Sequence, residues 1–296
     1  MIPPLWLNQP DALALIESAN VGEFEKTIAY ELVDTGLTIV REAFDPSLCQ
    51  AVISDYEKYV TENEDYVQAN LDSLNREKRL VNFHHYSDAA AQIGTDEKIM
   101  SVLDFLFGYE AGVYTSLTFK YGTQQPVHRD TPHFSTWPSG YFFGIWTALE
   151  PVRPEAGPLF YHPAAHKFSI DRSRILKEAM SRIPDASQDE QLARALDLYN
   201  GEVIRQAPVI SAPIIPELDI GDTVIWHPEL PHGGSPASNP HATRWSIVFH
   251  CATEVVQVHQ HEAFFSHDLP TPPPPRYQFK EFNGRKVALA GDVAYM

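Results

Sequence analysis

A chain of 296 residues with 44% hydrophobic and 11% aromatic side chains has enough apolar surface for one large core or two small ones. Its formal charge of −17 argues against non-specific nucleic-acid binding, which depends on Lys and Arg neutralising phosphates. Two cysteines, Cys49 and Cys251, cannot build a disulfide framework, and no run approaches the roughly 18 apolar residues of a membrane span, so a soluble cytoplasmic protein of a reducing compartment is expected.

The N-terminal stretch Met1 to Asp11 has neither a basic n-region nor a long apolar run. Helices are expected over about 11–110. Within them, Gly36-Leu37-Thr38-Ile39-Val40 reads as a strand, and Asp45-Pro46 is a helix start, an N-cap acceptor followed by a proline whose missing N–H costs nothing there. Leu48, Val52, Tyr56 and Tyr59 mark one face of that helix, and Ile99, Leu103 and Leu106 mark another over Asp96 to Phe107. His84-His85, taken as extended, point to opposite faces and cannot serve one metal.

After residue 111 strands dominate: Val113 to Tyr121, Phe142 to Ala148, Pro158 to Tyr161, Thr223 to Trp226 and Thr243 to Cys251, short, β-branched and aromatic, and separated by Pro and Gly turns. The pattern predicts a mainly β fold, a jelly roll, with the N-terminal helices packed on one sheet and a β core over about 111–255. Residues 164–215 break it with two helices, Arg174 to Ile183 and Asp189 to Tyr199, read as an inserted helical lid. Thr271 to Pro275 is a proline run leading into a C-terminal tail over about 269–296. The whole chain, 1–296, is taken as one domain.

The chemistry concentrates in His128-Arg129-Asp130, His232 and Arg244-Trp245-Ser246. In extended backbone His128 and Asp130 project to one face and Arg129 to the other. His232 completes a two-histidine, one-carboxylate set, which leaves coordination positions open and is the facial triad of non-haem Fe(II) oxygenases. Arg244 can take a small carboxylate bidentately, and Ser246 shares its face. A small dicarboxylate that chelates the metal at one end and pairs with arginine at the other suits such a site. His133 and Phe134 follow the proximal ligands closely enough to line the substrate side. Thr118, in the strand leading to the triad, is placed at the cosubstrate by the parity of that strand.

These residues, with Gly144-Ile145-Trp146-Thr147-Ala148-Leu149-Glu150, Gly157-Pro158-Leu159, His166-Lys167 and Gly221-Asp222, resemble the Fe(II)/2-oxoglutarate-dependent dioxygenases, most closely their phytanoyl-CoA dioxygenase branch, over roughly 35–255. The resemblance implies a double-stranded β-helix of cupin-like form, with Fe(II) as cofactor and 2-oxoglutarate and O₂ as cosubstrates. It implies hydroxylation of a C–H bond in a small organic molecule, with release of succinate and CO₂. It favours His232 over His227 as distal ligand, because Gly233-Gly234-Ser235 is similar to the family's His-Gly-Ser with one glycine inserted, a departure that puts Ser235 in doubt as a contact. It also implies that Trp146 lies beside 2-oxoglutarate, and the carboxylate of Asp130 favours hydroxylation over halogenation. Two other classes stay open: a metal-dependent hydrolase with Zn²⁺ on the same residues, and a cupin-like binding module without turnover. Substrate identity, regiochemistry and oligomeric state are left open.

Overall fold

The computed structural model describes residues 2–259, 261–265 and 278–296. Helices α1 (Ala12–Ser18), α2 (Glu23–Asp34), α3 (Pro46–Glu62), α4 (Glu64–Gln68), α5 (Asp88–Gly94) and α6 (Glu97–Phe107) precede most of the strands. The Asp45 side chain accepts from Ser47 N at 2.8 Å with Pro46 at the first helical position, and Asp96 accepts from Ile99 N at 3.1 Å. Those caps satisfy N–H groups that have no partner inside the helix. Gly108, at φ 68°, closes α6 in the left-handed conformation open to glycine.

The strands are β1 (Leu37–Val40), β2 (Leu80–Val81), β3 (Ala111–Tyr121), β4 (Ser135–Trp137), β5 (Phe142–Ala148), β6 (Leu159–Tyr161), β7 (Thr223–Trp226), β8 (His232–Gly234), β9 (Thr243–Thr253), β10 (Gln257–His259), β11 (Phe279–Phe282), β12 (Arg285–Ala288) and β13 (Ala294–Tyr295). Nine form one sheet in the order β1-β7-β5-β9-β3-β12-β11, with β2 joining β3 to β13. Opposite it, β6 pairs with β8, and His128 and His232 make a further antiparallel bridge. The fold is the expected jelly roll with flanking helices.

Alternation along β9 decides what each face meets. Trp245, Ile247, Phe249 and Cys251 pack with α3, α5 and α6 in the larger core. Val248 turns inward to Trp146, Val224, Trp226 and Phe119, and these fill the space between the sheets. Covering both faces of one sheet explains why β5 is buried at every position rather than alternating.

The segment 164–215 holds α7 (Arg172–Arg182) and α8 (Gln188–Ile210), and α8 opens on a Ser187/Glu190 capping box. The sequence suggested an end at Tyr199. Instead the buried stripe Leu192, Ala195, Tyr199, Val203, Ala207 continues, and it carries the helix past Gly201 to a last turn containing Pro208. With α9 (His261–Phe265) these helices enclose a small core of their own.

Two further expectations change. His84 and His85 lie in a 3₁₀ turn rather than a strand, with ring centroids 4.1 Å apart. The described end of the tail adds β11, β12 and β13 to the main sheet, with β12 parallel to β3, while the run Thr271 to Pro275 lies outside the described residues.

Candidate metal centre

His128, Asp130 and His232 bring one possible ligand atom each within 4.8 Å of one another. Asp130 Oδ1 lies 3.7 Å from His128 Nε2 and 3.8 Å from His232 Nε2. The backbone brings the two histidines together, since His128 N donates to His232 O at 2.9 Å and His232 N to His128 O at 3.0 Å. Each ring is then fixed by its own chain: Nδ1 of His128 is 2.9 Å from Pro126 O, and Nδ1 of His232 is 2.9 Å from Leu230 O. A proton on each Nδ1 leaves each Nε2 lone pair free to face Asp130.

The other carboxylate oxygen of Asp130 accepts from Trp226 Nε1 at 2.8 Å. Gly144, opposite Trp226 across the sheet, makes room for that indole, because a Cβ at position 144 would sit 2.4 Å from its Cε2. Burial pushes the His128 imidazole down to about 4, and the neighbouring His232 pushes the same way. Burial works against the Asp130 charge, yet His232, His250, His128 and the Trp226 N–H together hold its carboxyl below the usual range. Two imidazoles and one carboxylate are thus gathered at one place, the donor set a divalent first-row metal takes.

Arg244 enters the barrel interior from β9, only 4% exposed. Nη1 donates to Gly157 O at 2.8 Å, Nε is buried without a partner, and the guanidinium lies 5.9 Å from the Trp146 ring. Gly157 sits at φ 74°, a backbone conformation that favours glycine. Among the described residues no carboxylate pairs with Arg244, and burial alone pulls its pKa down to about 10. A buried cation without a counter-charge is costly unless an anion arrives. Ser246 is buried two residues on, where its hydroxyl donates to Arg244 O at 3.3 Å.

Trp146 lies opposite Val248 and shares this interior. Thr118 does not. In the β3–β9 register it pairs with Ile247, so its side chain faces the helical layer, and Phe119, opposite Ser246, takes the inward place. Its hydroxyl is buried there without a partner. Strand parity gives the period but not the phase, and the phase here is the reverse of the one expected.

Phe134 is half-buried, stacked 4.8 Å from Phe142 and 4.2 Å from the His250 imidazole, while His133 beside it is exposed. His250, inward on β9, has a buried Nδ1 with no partner; burial drives its pKa to about 4, although the nearby Asp130 charge pulls the other way. His250 follows Arg244, Ser246 and Val248 at alternate positions of β9, on the same face. Arg79 carried no sequence signal: it lines a cavity of about 420 Å³ with Phe119, Gln125 and Pro126, and its charge reaches His250.

His227 is committed elsewhere, with Nε2 2.7 Å from Asn8 Oδ1 and Nδ1 accepting from Glu229 N. Gly233 and Gly234, the pair that departs from the family pattern, pack against the backbone of Gln125 and Gln124, where side chains would collide. Three arginines of the insert are paired: Arg172 with Glu229, Arg174 with Glu178 and Glu202, and Arg182 with Glu178. No helix among the described residues is long and apolar enough to cross a membrane.

Among solved structures the fold is similar to the epimerase SnoN in complex with Fe3+, alpha ketoglutarate and nogalamycin RO, with TM-score 0.61 and 16% identity over 90% of this chain and 98% of that one. It is similar to EctD from S. alaskensis with 2-oxoglutarate and 5-hydroxyectoine, with TM-score 0.61 and 14% identity over 86% and 83%. It is also similar to the alpha ketoglutarate dependent carbocyclase SnoK from nogalamycin biosynthesis, with TM-score 0.63 and 14% identity over 86% and 94%. No curated protein matches the chain. Residues 32–246, which run from the end of α2 to Ser246 and so contain both histidines, Asp130 and Arg244, match the family described as phytanoyl-CoA dioxygenase (PhyH), and the chain belongs to that family of Fe(II)/2-oxoglutarate-dependent dioxygenases.

Proposed function

We propose that this protein hydroxylates a C–H bond of a small organic substrate, with His128, Asp130 and His232 holding Fe(II) and Arg244 holding the distal carboxylate of 2-oxoglutarate. The observation that carries the proposal is Arg244, a buried guanidinium with no carboxylate partner among the described residues, set in the same interior as the triad. The site fits the groups assigned to it: three donors leave positions open on the metal, and the unpaired cation calls for a small anion.

When bound, iron, 2-oxoglutarate and O₂ together supply the oxidant, and 2-oxoglutarate leaves as succinate and CO₂. The chain's own residues do the placing. Trp226 and the two backbone carbonyls fix the direction of each ligand, Trp146 flanks the cosubstrate end, and Ser246 shares its face. Phe134, Phe142 and His250 form an aromatic wall on the substrate side, with His133 at its exposed edge. Holding a target carbon against such a wall converts binding energy into orientation.

Solved relatives of the fold include an epimerase and a carbocyclase, so the product separates hydroxylation from other outcomes of hydrogen removal. The test is anaerobic loading with Fe(II) and 2-oxoglutarate, then O₂ and a panel of small substrates, with succinate, O₂ uptake and product mass followed together. One succinate per O₂ above the substrate-free rate, with a product gaining one oxygen, supports the proposal. Turnover that consumes no O₂, as a hydrolase would give, contradicts it.

A further inference from the structure

The alternation that turns His128 and Asp130 inward turns Arg129 outward. Its side chain is 2% exposed and committed to other parts of the chain. Nη1 donates to Glu229 Oε2 at 3.0 Å and to the Tyr199 hydroxyl of α8 at 3.3 Å. Nη2 donates to Ala165 O at 3.0 Å and Phe168 O at 2.8 Å, and the guanidinium lies 3.9 Å from the Phe168 ring centroid. Glu229 gives its other oxygen to Arg172 of α7 at 3.3 Å, and Arg172 in turn lies 4.0 Å from the Phe264 ring of α9.

This network has a particular topology. Arg129 sits between two residues of the triad, and Glu229 lies three residues before the third. One partly buried ion pair therefore joins both segments, and α7 and α8 each bond to it. Apart from this network, α7 and α8 pack with α9 on a small core of their own. If the insert lifts, Arg129 must either follow it, twisting the backbone between His128 and Asp130, or stay behind with fewer partners for a buried charge.

We propose that Arg129 is a positioning residue that couples docking of the helical insert to metal binding. This rests on His128, Asp130 and His232 being metal ligands. Coupling of this kind is reciprocal: an insert held down favours the ligand geometry, and a bound metal holds the insert down.

The experiment is hydrogen exchange of the full chain with and without Co(II), together with Co(II) titration of wild type, Arg129→Lys and Tyr199→Phe. In the wild type, metal slows exchange across 172–210, by up to about a hundredfold at a free metal concentration about a hundred times the dissociation constant. Arg129→Lys keeps the charge but not the planar fork; it weakens metal binding by about tenfold or more and removes the metal-dependent protection. Tyr199→Phe touches no ligand, and it weakens metal in the same direction by less.

Should Arg129→Lys not fold, wild type and Tyr199→Phe still decide. A wild type that binds metal tightly while exchange over 172–210 stays unchanged overturns the coupling and leaves the metal site standing. Arg129→Lys with wild-type metal affinity does the same. A wild type that binds no metal overturns both.

Discussion

On the proposed function Arg244 and Asp130 decide what the interior accepts, and they fail differently. Asp130→Ala removes the only carboxylate of the triad, so metal binding and turnover should be lost together in a metal titration with parallel succinate assays. Arg244→Met should raise the 2-oxoglutarate KM by about tenfold or more, the scale of a lost charge-assisted bidentate pair. Because Arg244 is buried without an anion, the same substitution should leave the melting temperature of the cosubstrate-free protein unchanged or raised, while abolishing the rise that 2-oxoglutarate gives the wild type. A large loss of cosubstrate-free stability would contradict this account of Arg244. Trp226→Phe removes the N–H that orients Asp130, and Gly144→Ala drives a Cβ into the same indole; each should weaken metal by about 10–100-fold. The grouping of His128, Asp130 and His232 and the inward placement of Arg244 were legible in the sequence because alternation and order along the chain both mark them. The Trp226–Asp130 bond was not, since it joins residues 96 apart with no spacing to announce it.

At the scale of single elements, β9 shows what a period can and cannot tell. Arg244, Ser246, Val248 and His250 alternate there with Trp245, Ile247 and Phe249, and the contrast of a polar face with a bulky one tells which face meets the helices. β3 has no such contrast, so the parity that placed Thr118 inward had no anchor, and the cross-strand register reverses it. Thr118→Val should therefore leave the 2-oxoglutarate KM unchanged. It should cost no stability, since the hydroxyl is buried without a partner. A KM raised severalfold would return Thr118 to the site. In α8 the helix runs on beyond Tyr199 through Gly201 and Pro208, residues of poor helix propensity, because burial of Val203 and Ala207 outweighs them. Arg129 was read only as the residue facing away from the metal, because its partners in the insert and the Glu229 loop come together only in the folded chain.

Across the whole molecule, burial of neutral histidines sets an acid limit. His128, His166 and His250 are each pushed down to about 4, mainly by burial, from an ordinary value of about 6.5 in the unfolded chain. Between those values the unfolded chain binds more protons than the folded one, so the stability present above pH 6.5 is lost as pH falls toward 4. Melts of metal-free protein from pH 7 to 4 should show a continuous decline, and a flat profile over that range would mean these rings are not buried as described. The β core, the helical layer and the insert were all foreseeable from patterning. The strands added by residues 278–296 were not, because short segments gain strand character only from the edges they pair with. The most direct measurement of the central claim is anaerobic equilibrium binding of Fe(II), followed by 2-oxoglutarate, to the wild type and to Asp130→Ala and Arg244→Met. One Fe(II) per chain, lost in the aspartate variant and kept in the arginine variant, with 2-oxoglutarate bound tightly only when both metal and Arg244 are present, is the predicted result. Iron bound equally well without Asp130, or 2-oxoglutarate bound equally well without Arg244, would contradict it.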